Sequence, residues 1–166
     1  MSTKFYECLT KSVLTEYMLE KIRQTNEAAW FHHLDMNVML LSPEDFIEDP
    51  KLLDVINQFG CHKKLAIFRF KPNTCYQWHI DSTRYASINL QLSGADSLCV
   101  FGEYGEPRKI NHLEKLIYNK DKYYLLNVSK IHTVFNFNNT RYLLSIGFPI
   151  PHTFEDVKKY LISKDV

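Results

Sequence analysis

The sequence predicts a mainly β chain with a helical cap, and three observations carry that prediction. From Lys64 to about Phe148 apolar residues recur at every second position, interrupted by turn residues every eight to twelve positions. Before that stretch apolar residues recur with helical spacing, and one more helical segment follows it. Eight antiparallel strands behind a helical cap form a double-sheet jelly roll, the cupin-like double-stranded β-helix. With 166 residues the chain reads as a single domain: a helical N-terminal part over about 1–62, a β barrel over about 64–148 and a C-terminal helix over about 153–162.

The elements follow in order. Between Ser12 and about Ala28, Val13, Tyr17, Met18 and Ile22 share one helical face, with charges on the other. Trp30 to Leu41 mixes aromatic and aliphatic residues and reads as an outer strand. Ser42-Pro43-Glu44-Asp45 is a helix start, with Ser42 as N-cap and the fixed φ of Pro43 at the first position. A short helix over 50–59 stops at Gly60. Strands are then expected over 65–70, 76–80, 85–92, 97–101, 113–118, 123–126, 131–137 and 141–148. Residues 71–74, 93–96 and 102–107 break them, while 119–122 and 138–139 read as hairpin turns.

Composition excludes several classes. Twenty basic residues face nineteen acidic ones, without a basic stripe or arm, so nucleic acid is not an expected partner. No apolar run reaches membrane-spanning length, and the N-terminal residues lack a signal-peptide core, so a soluble, cytoplasmic protein is expected. Cys8, Cys61, Cys75 and Cys99 lack C-x-x-C spacing and read as reduced. Cys75, close to the candidate site, reads as a core thiol rather than a ligand.

One set of residues fits together chemically. His79 and Asp81 stand two apart on a strand and so share a face, while Ile80 points away. His132 lies near the start of the seventh strand and Arg141, nine residues later, starts the eighth. Two neutral imidazoles and one carboxylate, with coordination positions left open, are the ligand set of non-haem Fe(II) oxygenases. If the last two strands pair as a tight hairpin, His132 and Arg141 lie towards its opposite ends, with the metal at the barrel mouth and the guanidinium deeper. A five-carbon diacid bridges such a distance, one end on the metal and the other on the planar guanidinium fork.

The H-x-D pair, a second histidine about fifty residues on and an arginine nine residues beyond resemble the Fe(II)/2-oxoglutarate-dependent dioxygenase superfamily. Trp78-His79-Ile80-Asp81 followed by Ala86-Ser87-Ile88-Asn89-Leu90 is similar to its prolyl and aspartyl/asparaginyl hydroxylase branches. So are Asn127-Val128-Ser129-Lys130-Ile131-His132-Thr133-Val134-Phe135-Asn136 and Arg141-Tyr142-Leu143-Leu144-Ser145-Ile146. The resemblance implies Fe(II), 2-oxoglutarate and O2, with decarboxylation to succinate and hydroxylation of an unactivated C–H bond. It implies an amino-acid or peptidyl substrate, His79, Asp81 and His132 as metal ligands, and Arg141 as holder of the far carboxylate.

Some branches place a hydroxyl residue two positions after that arginine, where this chain has Leu143. Ser145, on the same strand face as Arg141, is the candidate instead. The hydroxyl assisting the far carboxylate stays open among Tyr76, Tyr85 and Thr133. Asn89, polar in an apolar strand, is a candidate to face the cosubstrate, and Arg84 is expected at the mouth, meeting an acidic group of the substrate.

Taken singly, these residues have blander readings: a surface strand end for His79 and Asp81, a core histidine for His132, an ordinary ion-pair partner for Arg141. Their joint spacing favours ligation. Adjacent His32 and His33 point oppositely on a strand and cannot share an ion, and Lys63-Lys64 read as solvated charge. The competing functions are a non-catalytic cupin-like module that senses a metal or a small acid, and a Zn or Mn enzyme on the same barrel.

Overall fold

Two antiparallel sheets face each other in the computed structural model, which describes residues 5–94, 96–105 and 109–165. The strands are β1 Tyr6–Lys11, β2 Phe31–His33, β3 Met36–Leu40, β4 Leu65–Phe70, β5 Thr74–His79, β6 Arg84–Ser93, β7 Ser97–Gly105, β8 Lys109–Leu116, β9 Lys122–Leu126, β10 His132–Asn136 and β11 Arg141–Pro149. The helices are α1 Thr15–Gln24, α2 Pro50–Gln58 and α3 Phe154–Lys164, joined by 3₁₀ turns at Glu27–Ala29, Pro43–Phe46 and Cys61–Lys63. The large sheet has the order β1-β9-β6-β11-β4-β3-β2 and the small one β5-β10-β7-β8. From β4 to β7 successive strands alternate between the sheets, which is jelly-roll wiring.

The large sheet is buried on both faces, and strand alternation assigns the two faces different chemistry. Leu65 and Ile67 of β4, Ala86, Ile88, Leu90 and Leu92 of β6, and Leu144, Ile146 and Phe148 of β11 form one apolar layer. It packs on Leu14 and Met18 next to and in α1, Leu52, Val55 and Ile56 of α2, and Phe154, Val157 and Leu161 of α3. The intervening positions face the small sheet. They include Ala66 and Phe70 of β4 and Leu143 of β11, and also the buried polar residues Ser87, Asn89, Arg141 and Ser145. One face therefore builds the core, and the other builds a cavity of about 650 Å³ between the sheets.

Caps behave as their residue types dictate. Asp49 accepts from the Leu52 amide at 3.1 Å with Pro50 opening α2, and Thr153 with Asp156 forms a capping box on α3. Ser42 and Asp45 form the same box on the 3₁₀ turn Pro43–Phe46. Gly60 ends the second helix with φ +64°.

Several expectations need correction. The N-terminal part is not simply helical: β1 extends the large sheet at one end, and at the other the outer strand expected over Trp30 to Leu41 is the antiparallel pair β2 and β3. β1 exists because the free edge of β9 takes it up, Tyr6 opposite Leu126 and Cys8 opposite Tyr124, a pairing with no local signal. The face of α1 is rotated from the expected one: Leu14 and Met18 are buried, whereas Val13 is 65% and Tyr17 40% exposed. Residues 119–122 and 138–139 are not hairpin turns. Each carries the chain from the small sheet to the large one, so β10 and β11 do not pair. The expected break at 102–107 falls later: β7 runs on to Gly105, and residues 106–108 lie outside the described residues.

Candidate metal centre

His79 ends β5 and His132 begins β10, and these strands pair with His132 directly opposite His79. Cross-strand neighbours on one face stand close, and the two imidazole centroids are 4.1 Å apart. Asp81 lies just beyond β5, its amide donating to the Val128 carbonyl at 3.1 Å. This fixes the carboxylate beside the rings, with Oδ1 3.4 Å from His79 Nε2. One ligand atom from each of His79, Asp81 and His132 lies within 4.8 Å of the others. Bonds of about 2.0–2.2 Å to a common ion, at right angles, place donors about 3 Å apart, so the spacing fits one ion.

The ring orientations fit ligation as well. His79 Nδ1 lies 2.7 Å from the Gln77 carbonyl and His132 Nδ1 2.9 Å from the Lys130 carbonyl. A carbonyl accepts only, so each Nδ1 carries the proton and each Nε2 offers its lone pair. Burial above all, then the neighbouring His79, pushes the His132 pKa down to about 4, which keeps the ring neutral. Burial alone would raise the Asp81 carboxyl. The neighbouring His79 and the Arg84 guanidinium outweigh it and hold the group well below the usual carboxylate range.

Arg84 is not free at the mouth, as expected, but bound to the ligand carboxylate. Its Nε donates to Asp81 Oδ2 at 2.5 Å and its Nη1 to Ser145 Oγ at 3.2 Å. Ser145 is therefore engaged at the triad end of the cavity, with Arg84 rather than with Arg141. Tyr76 stands edge-on to His79 with centroids 4.5 Å apart and also lines the cavity. Thr133 donates to the Tyr76 carbonyl, and Tyr85 does not line this cavity. Cys75 is exposed rather than a core thiol, while Cys61 and Cys99 are buried.

Arg141 is fully buried, and none of its three guanidinium nitrogens has a hydrogen-bond partner among the described residues. Burial lowers its pKa, opposed by Tyr118. Its guanidinium carbon lies 5.0 Å from the Tyr118 ring centroid and 5.5 Å from that of Phe70. Asn89 reaches the Tyr118 hydroxyl at 3.4 Å through Nδ2, while its Oδ1 is buried without a partner among the described residues. Asn89, Tyr118 and Arg141 thus form one polar cluster. Tyr118 is the member missed in the sequence, where it read as the end of a core strand. No spacing rule ties it to Arg141, because the two meet only through the packing of the sheets.

No protein-family model and no curated protein matches the sequence. Solved structures match along most of its length. A prolyl-4-hydroxylase from Pseudomonas putida superposes with a TM-score of 0.64 at 13% identity, covering 89% of this chain and 94% of that one. HygX from Streptomyces hygroscopicus, solved with nickel, 2-oxoglutarate and hygromycin B, gives 0.62 at 12% identity, covering 91% and 85%. The viral collagen prolyl hydroxylase of Paramecium Bursaria Chlorella virus-1, in complex with 2-oxoglutarate, gives 0.53 at 12% identity, covering 88% and 96%. At these identities the likeness establishes the fold: the chain has the jelly roll on which 2-oxoglutarate–Fe(II) oxygenases are built.

Proposed function

We propose that the chain is a non-haem Fe(II)/2-oxoglutarate-dependent oxygenase that hydroxylates an unactivated C–H bond of an amino-acid or peptidyl substrate. One observation carries the reading beyond fold likeness: the cavity that holds the His-Asp-His cluster is also lined by Asn89 and Tyr118, and behind Tyr118 lies the fully buried Arg141 guanidinium, without a counter-ion among the described residues. A guanidinium taken out of water without a carboxylate costs several kcal/mol, and a diacid anchored on the metal relieves that cost.

His79, Asp81 and His132 would hold the iron, and Arg141, with Tyr118 and Asn89 beside it, would hold the far carboxylate of 2-oxoglutarate. Iron(II) and 2-oxoglutarate, when bound, supply the reduction of O2 that places one oxygen atom in the substrate and the other in succinate, with release of CO2. The protein's share is placement. The Gln77 and Lys130 carbonyls hold both imidazoles in the ligating tautomer. Arg84 holds Oδ2 of Asp81, leaving Oδ1 towards the histidines. Met36, Val38, Phe70 and Leu143 line the cavity and exclude water from the diacid. Tyr76 and Ser145 border the triad, where they would orient whatever lies beside it.

Mixing the chain with Fe(II) and 2-oxoglutarate under argon should give a weak visible charge-transfer band, absent in Arg141→Ala, and admitting air should produce succinate. No band and no succinate from the wild-type chain would reject the proposal.

A further inference from the structure

The wall of the cavity carries an imbalance of charge that the iron and the diacid do not remove. Lys63, Lys64 and Arg84 line it, and Arg141 lies just behind; among the described residues the only carboxylate in the wall is Asp81. A divalent ion and a doubly charged diacid cancel each other, so four cations still face one anion. Asp81 is already committed to Arg84. No carboxylate among the described residues pairs with Lys63 or Lys64, although seven lysine and arginine side chains elsewhere do pair with acids.

The cationic side of the cavity is built around Gly147. A Cβ there would stand 2.9 Å from Arg84 Cδ and 3.2 Å from Lys64 Cβ, so the glycine lets the two side chains lie over β11 without being pushed aside. The Gly147 amide donates to the Lys64 carbonyl at 2.8 Å, which fixes Lys64 at this place. Elsewhere on the rim four large apolar side chains stand open to solvent, Phe31 46%, Leu34 60%, Leu40 66% and Ile80 47% exposed, with His33, Ser82 and Thr83 between them. A cavity with cations on one side and large apolar side chains around its rim complements a molecule that is apolar with an anionic end.

We infer that the substrate is a small organic acid: an apolar body set against Phe31, Leu34, Leu40 and Ile80, and a carboxylate held by Lys63 and Lys64 beside Arg84. This rests on the oxygenase reading and narrows it, favouring a free carboxylate-bearing molecule over an internal peptide residue. Mouth lysines that keep some hydration act as point charges, so they set the sign of the ligand rather than its shape.

The test uses octanoate as the probe, with uncharged octanamide and cationic octylamine beside it. Binding is measured by calorimetry on the chain loaded with Mn(II) and N-oxalylglycine, which occupy the iron and 2-oxoglutarate positions without turnover. Octanoate should bind at least about tenfold more tightly than octanamide, and octylamine should not bind. In the Lys63→Gln/Lys64→Gln double variant the preference for octanoate should shrink about three- to tenfold, the modest loss that solvent-screened charges give. Equal binding of acid and amide, or an unchanged preference in the double variant, overturns the inference. Failure of the wild-type chain to take up Mn(II) and N-oxalylglycine counts instead against the oxygenase reading. The same three probes on the metal-free chain then decide whether the cavity selects acids.

Discussion

Arg141 and His132 are each held in a state that water would not favour. Arg141 is a fully buried cation whose guanidinium nitrogens lack hydrogen-bond partners among the described residues, so its burial opposes folding of the metal-free chain. Replacing an uncompensated buried charge by an apolar side chain of similar length usually stabilises, by about 1–4 kcal/mol. Arg141→Met should therefore raise the urea midpoint of the metal-free chain while abolishing the charge-transfer band with 2-oxoglutarate. A lowered midpoint would mean that Arg141 has a structural partner in the ligand-free state. His132 works through protons. Its folded pKa, pushed down to about 4, lies below the ordinary 6.5 that the unfolded chain shows. The unfolded state therefore binds more protons between these values, and stability present above about pH 6.5 is lost as the pH falls towards 4. The gap corresponds to about 3 kcal/mol. Urea unfolding of the metal-free chain at pH 7 and pH 4.5 should show this loss, reduced in His132→Gln; equal losses in both would contradict it.

Turns and strand ends do the positioning one level up. Gly94 sits at the β6–β7 connection with φ +85°, and a Cβ there would stand 2.7 Å from Arg141 Cα and 2.8 Å from Arg141 Cβ. Gly60 is also left-handed, at +64°, but a Cβ there meets nothing within 4 Å. The pair separates conformational strain from steric contact. Gly60→Ala should cost about 1 kcal/mol, the cost of the backbone conformation alone. Gly94→Ala should cost about 3 kcal/mol or more by urea unfolding, and should weaken 2-oxoglutarate binding by displacing β11 at Arg141. Equal costs would show that the chain around Arg141 yields freely. The α1 misreading belongs to this scale too. Val13 and Tyr17 satisfy a helical period as well as Leu14 and Met18 do, and which stripe faces inward depends on how the helix lies on the large sheet.

Across the whole molecule, the division of labour between the faces of the large sheet makes a site possible. Its outer face is apolar and covered by three helices, so cohesion does not depend on the inner face. The inner face can then carry Ser87, Asn89 and Ser145 around a cavity, with the buried Arg141 behind, instead of closing on the small sheet. The candidate metal ligands come from the opposite wall, at the facing ends of β5 and β10, and Arg141 from the large sheet. The cavity is thus spanned from one sheet to the other, not along a hairpin.

Much of this was legible before any coordinates. Period-two alternation over 64–148 and the H-x-D pair depend on spacing along one strand, whose two-residue repeat fixes which side chains share its face, and His132 and Arg141 stand out by their separations along the chain. The sequence by itself therefore determined the jelly roll and singled out the candidate residues that the fold gathers at one cavity. Tertiary structure alone decided which strand lies across from which. It sent β10 and β11 to different sheets, set Tyr118 beside Arg141, tied Arg84 to Asp81 and Ser145, and gathered Lys63 and Lys64 with Arg84 around Gly147. The physical reason is that local periodicity encodes the direction of a side chain relative to its own backbone, whereas its partner is settled by long-range pairing and packing between elements far apart in the chain.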